Sequence, residues 1–437
     1  EINLLNKNIL TKINFDFEIK NKFQKVQNVN FKINDLAIGA DKVVLEKQKE
    51  NYIIKGVIKS TKGKLNKNIV DIFVNNEFKN IGLEDIEFSS KTEFLLKTKE
   101  SLFKNNKLNK KFKIVNSNII SNVSIEEFEY ILVSGNLSDF IDSYNNKIKF
   151  KNNELNITFK NNKIEINGNG EVSFDEKNYE NLEYFVKSKN NTTEFRSKIE
   201  FNNHLIKFKK IDYEKKESIN SNLNIEGNIS KNKSLTIKKL TFEENNNFFS
   251  IKNLNLTNKN KINYFDELDF SFLNLNNKKN EITITRNKQN YTLKSVSFDA
   301  NSLIDDFLFT STQSSFLDSF KNLNSLLNIN ISKLYIENSY YYNDLDGSIE
   351  FEKNKLKNAE INGVSKKNKK AYISIKSKNG KKITKFLMEN PKHIVEKYKF
   401  IKGFDEGFLD FYSVQKKGIS SSNLFINDFK LKEMPAL

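Results

Sequence analysis

Apolar side chains occupy alternate positions through residues 155–174, LNITFKNNKIEINGNGEVSF, with a polar break in the middle. Side chains of a β-strand point to opposite faces in turn, so this pattern predicts two strands joined by a turn, with one apolar and one polar face. An apolar sheet face must be covered, and that demand constrains the fold more than any other feature. The apolar positions are Leu155, Ile157, Phe159, Ile164, Ile166, Val172 and Phe174.

The same pattern recurs along the chain as a degenerate module, apolar-x-apolar-x-Gly-x-apolar. Runs of Asn separate the strands, and Asn tolerates the left-handed backbone conformation of tight turns. Short turns favour antiparallel neighbours, so the chain is expected to be mainly β and to form an antiparallel meander. The module repeats its apolar positions at Leu223, Ile225, Ile229, Leu235, Ile237, Ile349, Phe351, Ile373 and Ile375.

Two segments have helical spacing instead. In residues 301–328 the apolar side chains recur at helical intervals, at 303, 304, 307 and 308 and again from Phe316 to Leu327. A shorter helix is predicted after Asn390 and Pro391, with Asn390 as its cap and an apolar stripe at Ile394, Val395 and Tyr398. Both helices are expected to cover a sheet. The chain therefore divides into a β region at 1–300, an amphipathic helical segment at 301–328 and a second β region at 329–437.

The composition excludes several classes of protein. A net charge of +17 over 437 residues is low, and 38 Phe with 15 Tyr are too many aromatic residues for a disordered chain. The absence of Cys excludes disulfides and thiolate chemistry. The lysines are spread along the chain without a deciding cluster, so the charge does not by itself indicate nucleic acid. No apolar run is long enough for a membrane helix, and we expect the chain to be an internal piece whose anchor or export signal lies upstream.

Catalytic and metal-binding motifs are not found in the sequence. His204 and His393 are isolated, and neither belongs to a metal-binding motif, so we interpret both as structural or solvated. The glycines of 168–173 are similar to those of a dinucleotide-binding loop, but they lie inside an alternating strand rather than between a strand and a helix, so this interpretation is discarded. The DLDG stretch at 344–347 lacks the spacing of a calcium loop and is interpreted as a turn entering a strand. We therefore expect no enzymatic activity, no cofactor and no metal site.

The C-terminal region combines a short predicted helix, a strand with two glycines four residues apart, and a later strand that ends in D-F-x-apolar-x-x-x-P-x-L. The residues of this pattern are Ile401, Gly403, Gly407, Leu409, Phe411, Asp428, Phe429, Leu431, Pro435 and Leu437. In these features the chain resembles the AsmA-like superfamily, the group that includes TamB and YhdP. The resemblance covers about residues 340–437, and the chain stops at Leu437, where the family continues into a leucine-rich segment.

This resemblance implies a periplasmic protein, anchored in the inner membrane by a segment outside this chain, that helps to move phospholipid to the outer membrane. It also implies an elongated sheet curled into an open groove or incomplete barrel. On this hypothesis the apolar positions of the module line the groove and contact acyl chains. Membranes are the expected partners at the two ends of the full-length protein, and nucleic acid is not.

Two alternatives make different predictions. A structural or adhesive envelope protein would seal its apolar face in a core filled by its own side chains. A nucleic-acid-binding protein would carry its aromatic residues on the polar, lysine-bearing face. Phe159, Phe174 and Phe351 are instead in phase with neighbouring aliphatic residues, which favours a lipid groove or a sealed core.

Overall fold

Strands dominate the computed structural model, and the mainly β fold class is confirmed. A short helix, α1 (Lys392–Lys397), lies near the C-terminus. The structure describes residues 2–3, 9–20, 23–33, 36–48, 51–65, 81–82, 86–99, 103–104, 107–108, 114–131, 141, 144, 146–190, 192–230, 234–303, 316–337, 340–365, 368–397, 404–416 and 419–432.

The strands follow one another closely along the chain, joined mostly by short turns. They are β1 (Ile2–Asn3), β2 (Ile9–Lys20), β3 (Phe23–Ile33), β4 (Leu36–Gln48), β5 (Asn51–Leu65), β6 (Ile81–Gly82), β7 (Ile86–Thr98), β8 (Phe103–Lys104), β9 (Lys107–Leu108), β10 (Ile114–Ile131), β11 (Lys147–Lys160), β12 (Lys163–Ser173), β13 (Glu180–Lys189), β14 (Thr192–Glu200), β15 (Ile206–Phe208), β16 (Tyr213–Lys215), β17 (Ser221–Ile229), β18 (Leu235–Glu244), β19 (Asn247–Leu256), β20 (Ile262–Tyr264), β21 (Glu267–Leu273), β22 (Lys279–Asn287), β23 (Asn290–Asp299), β24 (Ser325–Tyr335), β25 (Tyr341–Glu352), β26 (Lys355–Ser365), β27 (Lys370–Lys378), β28 (Lys381–Glu389), β29 (Phe404–Lys416) and β30 (Ile419–Leu431).

Two compact units make up the chain. The N-terminal unit contains Glu1–His204 and Glu217–Asn232, and the C-terminal unit contains Leu205–Lys216 and Lys233–Leu437. This division differs from the three segments at 1–300, 301–328 and 329–437, which stay a prediction.

The main sheet of the N-terminal unit is an antiparallel meander. Its strands pair in the order β2, β3, β4, β5, β7, β10, β11, β12, β13, β14 and β17.

The main sheet of the C-terminal unit follows the order β18, β19, β21, β22, β23, β24, β25, β26, β27, β28, β29 and β30. Strands β15 and β16 form a separate hairpin. Of the described strand pairs, β23 with β24 alone is parallel, so the chain crosses over between them instead of turning back.

The crossover corrects the predicted helix at 301–328. Residues 301–303 form one helical turn and Phe316–Ser319 a 3-10 helix, but the chain is already extended from Ser325. Leu327 lies between Tyr291 and Ile349 of the neighbouring strands. Hydrogen bonds to two strands outweigh the local helical spacing, because helix propensity is a weak preference. Residues 304–315, which include Ile304, Phe307 and Leu308, lie outside the described residues.

The short helix α1 is confirmed, although its cap is not the predicted one. The carbonyl of Pro391 accepts hydrogen bonds from the amides of Ile394 and Val395, both at 3.0 Å. Val395 is completely buried, whereas Tyr398 lies outside the described residues. The side-chain oxygen of Asn390 is buried without a hydrogen bond, so this residue does not cap the helix.

Asparagine turns are confirmed in both units. Asn161 and Asn162 join β11 to β12 with φ of 49° and 63°, and Asn354 has φ of 61° in the turn after β25. Asn379 and Gly380 join β27 to β28 with φ of 53° and 72°. Such left-handed pairs match the twist of a two-residue hairpin, so the strands pair up to the turn.

Candidate functional site

The strand register brings the predicted residues of the N-terminal unit onto one face, here called the N-terminal apolar face. Cross-strand partners share a face, and they align as Ile157, Ile166, Val186, Phe195 and Gly227 across five strands. The flanking rows are Leu155, Gly168, Tyr184, Ser197 and Ile225 on one side and Phe159, Ile164, Ser188, Thr193 and Ile229 on the other.

Exposure differs along this face. Val172 and Phe174, at its end, are 1% and 7% exposed. By contrast, Ile164 is 38% and Ile229 41% exposed, and the other side chains of the central rows are half-buried. The row of Ile164 and Ile229, next to the Asn161–Asn162 turn, therefore keeps apolar surface in contact with solvent, and the central row is half-buried. The half-buried predicted residues are Leu155, Ile157, Phe159, Ile166, Leu223 and Ile225.

The opposite face of the same strands is polar. Asn156, one position out of phase with Ile157, is exposed, and its amide donates to the side-chain oxygen of Asn122 at 2.8 Å. Phe185 is an aromatic residue on this face, where the guanidinium of Arg196 lies 4.8 Å from its ring centre. The alternation in the sequence therefore corresponds to a sheet with two chemically distinct sides.

Hydroxyl groups interrupt the N-terminal apolar face on β5, β7 and β10. Ser60 and Ser90 are hydrogen-bonded at 2.9 Å, and Thr92 and Ser121 at 2.7 Å. Ser121 is the cross-strand partner of Ile157, so the hydroxyls lie in the same rows as the apolar residues. On β11 to β17 the central row from Ile157 to Gly227 has no polar side chain, whereas the flanking rows still contain Ser188, Thr193 and Ser197.

A buried ionic network closes one end of the N-terminal apolar face. Glu180, the partner of Val172, accepts hydrogen bonds from the amides of Asn202, Asn203 and His204 at 2.7–3.0 Å. Its Oε1 also lies 2.7 Å from Nδ1 of His204. Burial raises the pKa of this carboxyl, but the hydrogen bonds and the nearby His204 outweigh burial and lower it. His204 is structural, as its isolated position in the sequence indicated.

The C-terminal unit has a second apolar face, here called the C-terminal apolar face. One row of cross-strand partners on it crosses twelve strands without a polar side chain. The predicted residue Ile373 belongs to this row, and Ile349 and Ile375 lie in the adjacent one. The row contains Leu240, Ile251, Leu268, Ile284, Leu293, Ile329, Gly347, Ile361, Ile373, Phe386, Phe411 and Leu424.

The chain covers the start of the C-terminal apolar face with the β15–β16 hairpin. Tyr213 of this hairpin is 1% exposed, and its ring contacts Phe249 and Phe272 at centroid distances of 4.8 and 5.6 Å. Its hydroxyl donates to Glu244 at 2.5 Å. This cover was not predicted from the sequence, although Phe208 and Tyr213 are two aromatic residues within a lysine-rich stretch.

Two further segments fill parts of the same face. Phe320 and Leu323 of the crossover pack with Phe265 and Tyr291 over β19 to β24. Ile394 of α1 packs on a cluster of Tyr342, Met388 and Leu409 near the C-terminus. The C-terminal apolar face is therefore sealed in three places by the protein's own side chains.

Leu235 and Ile237 join this face through a local irregularity. Ile237 and Leu240 are three positions apart, so strict alternation would place them on opposite faces. Their cross-strand partners, Leu254 and Ile251, nevertheless pack in the same cluster. Asn253 between them has a left-handed φ of 50°, which reverses the facing of the strand. Phe351, also predicted, is half-buried opposite Ser325.

The module glycines permit close approach. A Cβ at Gly347 would lie 2.2 Å from the carbonyl oxygen of Glu360 on the next strand. A Cβ at Gly168 would lie within 2.6 Å of the ring of Tyr184, which therefore covers this glycine. Burial raises the pKa of Tyr184 to about 12, so its phenol is neutral on the N-terminal apolar face.

The residues that carry the family resemblance lie mostly on β29 and β30. Leu409 is 3% exposed and Phe411 half-buried, while Phe429 is 40% exposed on the last strand. Gly407 and Asp428 have positive φ of 86° and 55° at an irregular part of this pairing. Ile401, Gly403, Pro435 and Leu437 lie outside the described residues.

No arrangement for metal chemistry emerges in the described ranges, where His, Cys, Asp and Glu form no group of three suited to a metal ion. Residues 168–173 lie in β12, as interpreted, whereas residues 344–347 lie within β25 at a register shift and not in the predicted turn before a strand. His393 stacks on Tyr340 with ring centres 3.4 Å apart. Among the described helices, none is long and apolar enough to cross a membrane.

Comparisons with family models, curated proteins and solved structures find no match to this chain. The AsmA-like resemblance therefore stays a prediction.

Proposed function

We propose that the N-terminal apolar face binds acyl chains, and that the protein is a lipid-conducting β protein of the cell envelope. The observation that carries this proposal is the half-buried row of Ile157, Ile166, Val186 and Phe195, flanked by the exposed Ile164 and Ile229. An acyl chain on this row would gain roughly 0.8 kcal/mol for each buried CH₂ group.

Similar weak contacts repeated across neighbouring strands suit movement of a lipid. Each apolar side chain of the row offers about the same hydrophobic gain, so no single position holds the acyl chain much more tightly than the next. The polar side of the sheet keeps the protein soluble at the same time. The AsmA-like resemblance supports the finer proposal of a periplasmic, inner-membrane-anchored protein that carries phospholipid between the two membranes.

A structural or adhesive envelope protein is the second candidate. The filled clusters around Tyr213, Phe320 and Met388 on the C-terminal apolar face favour it. In that case the C-terminal unit is a sealed scaffold, and no lipid accompanies the purified protein.

Native mass spectrometry of detergent-free protein tests the proposal. Ile157→Asp and Ile225→Asp should each lose bound lipid, because a carboxylate on the row opposes burial of an acyl chain. The matched change Asn156→Asp should leave occupancy unchanged, because this residue points to the polar face. Circular dichroism confirms that the variants are folded. Wild-type lipid occupancy in both folded Ile variants would overturn the assignment, and absence of lipid from the wild-type protein would favour the structural candidate.

A further inference from the structure

Residues 361–388 form a long stretch with nine Lys and no Asp or Glu. The strand pairing gathers part of this charge at one end of the C-terminal sheet. Strands β25 and β26 turn at Lys353 and Asn354, and β27 and β28 turn at Asn379 and Gly380. Asn358 is the partner of Lys376, so these two turns lie at the same end of the sheet.

The end of β29 and the start of β30 lie at this same end of the sheet. Lys416 is the partner of Lys381 on one side and of Ile419 on the other. We call this part of the molecule the lysine end. Its lysines are Lys353, Lys355, Lys376, Lys378, Lys381, Lys382 and Lys416.

The charges of the lysine end are available for a partner. Six of its lysines are exposed and Lys382 is half-buried. Glu350 and Glu352 nearby are both paired with Lys357, and within the described residues the seven lysines of the lysine end form no ion pair. A Cβ at Gly380 would meet nothing within 4 Å, so the tip of this hairpin is open to solvent.

An exposed apolar side chain lies beside these charges. Ile419 is 79% exposed, the highest fraction among the large apolar residues of the described chain, and it is the first residue of β30. Lysines around a protruding aliphatic group suit a membrane interface, where the ammonium groups meet lipid phosphates and the apolar group enters the acyl boundary.

We propose that the lysine end docks on an anionic phospholipid surface. Nucleic acid is the less favoured partner, because binding of single strands uses exposed aromatic side chains and the described tips of these turns carry none. Lys376 and Lys378 also border an open depression of about 400 Å³. Glu350 and Glu360 line the same depression and oppose phosphate there, so the docking contact is assigned to the turn tips.

Vesicle flotation tests this inference. The tip variant replaces Lys376, Lys378, Lys381 and Lys382 by Gln, and the matched control replaces Lys97, Lys160, Lys238 and Lys239, which are exposed and lie elsewhere. Both variants lose four positive charges. On phosphatidylcholine vesicles containing about one third phosphatidylglycerol, the tip variant should bind at least about tenfold more weakly than wild type, and the control within about twofold of it.

Three outcomes would overturn the inference: equal losses in the two variants, no binding by the wild-type protein, or binding that does not require phosphatidylglycerol. Ile419→Ser should also weaken vesicle binding while leaving binding to a single-stranded oligonucleotide unchanged. An oligonucleotide bound more tightly than vesicles, with Ile419→Ser silent on vesicles, would assign the surface to nucleic acid instead. Docking needs no acyl chain on the N-terminal apolar face, so Ile225→Asp should bind vesicles as the wild-type protein does. If the N-terminal apolar face proves not to bind acyl chains, the expected vesicle binding is unaffected.

Discussion

The two apolar faces are built from the same alternating pattern but are covered differently. On the N-terminal apolar face, the central row is half-buried, and Ile164 and Ile229 of the flanking row are exposed. On the C-terminal apolar face, the β15–β16 hairpin, the crossover and α1 each place their own side chains, such as Phe320, on the sheet. The alternation of apolar and polar residues therefore determines which side of the sheet is apolar. Whether that side is sealed depends on segments outside the main sheet that fold back onto it.

The largest expected contrast is between two matched truncations. Phe272→Ala should lower the free energy of unfolding of the C-terminal unit by about 3–5 kcal/mol, because Phe272 is fully buried among Tyr213, Phe249 and Phe270. Phe159→Ala should cost the N-terminal unit only about 1 kcal/mol, because its ring is half-buried. Denaturant-dependent hydrogen exchange reports each unit separately.

Equal costs at the two positions would break the comparison. If Phe159→Ala is as damaging as Phe272→Ala in lipid-free protein, then the N-terminal apolar face is filled by protein and the distinction between the faces is wrong.

A smaller effect is expected from the ionic network of the N-terminal unit. The pKa of Glu180 is lowered from its ordinary 4.5, so the unfolded state takes up a proton at higher pH than the folded state. The stability that Glu180 contributes is therefore fully present above about pH 4.5 and is lost as the pH falls toward the pKa of Glu180 in the folded state. Asp175 acts in the same direction below its ordinary 3.8.

Alkaline pH should weaken both units, because burial raises the pKa of Tyr184 in the N-terminal unit as well as that of Tyr213 in the C-terminal unit. In the C-terminal unit, burial and the bond to Glu244 raise the pKa of Tyr213, so its contribution is lost only as the pH rises above the ordinary value of 10. Hydrogen exchange across an acid series should show the N-terminal unit opening first.

Glu180→Gln supplies the control for this pH dependence. It should cost about 2 kcal/mol at neutral pH, because charge-assisted bonds from three amides and His204 are weakened. The acid-dependent loss should be correspondingly shallower. An unchanged acid profile in this variant would show that Glu180 does not determine the acid sensitivity.

Much of the local structure follows from the sequence. Period-two alternation identified the shared face of Leu155, Ile157 and Phe159, and Asn-rich breaks predicted turns such as Asn161–Asn162. These features depend on neighbouring residues, which a sequence pattern records directly.

The remaining features depend on distant contacts. The parallel pairing of Leu327 with Tyr291 and the cover over Phe249 each require partners far along the chain. The lysine end is similar, because its lysines come from the ends of several strands and appear in the sequence as scattered residues.

The central claim is that the N-terminal apolar face is available to acyl chains. Incubating the protein with a phospholipid that carries a diazirine in its acyl chain, followed by irradiation and peptide mapping, tests it most directly. Crosslinks are expected at Ile157, Ile166 and Val186, and none at Asn156 or Asn167 on the polar face. Crosslinks confined to the polar face, or none on the N-terminal apolar face of folded protein, would contradict it.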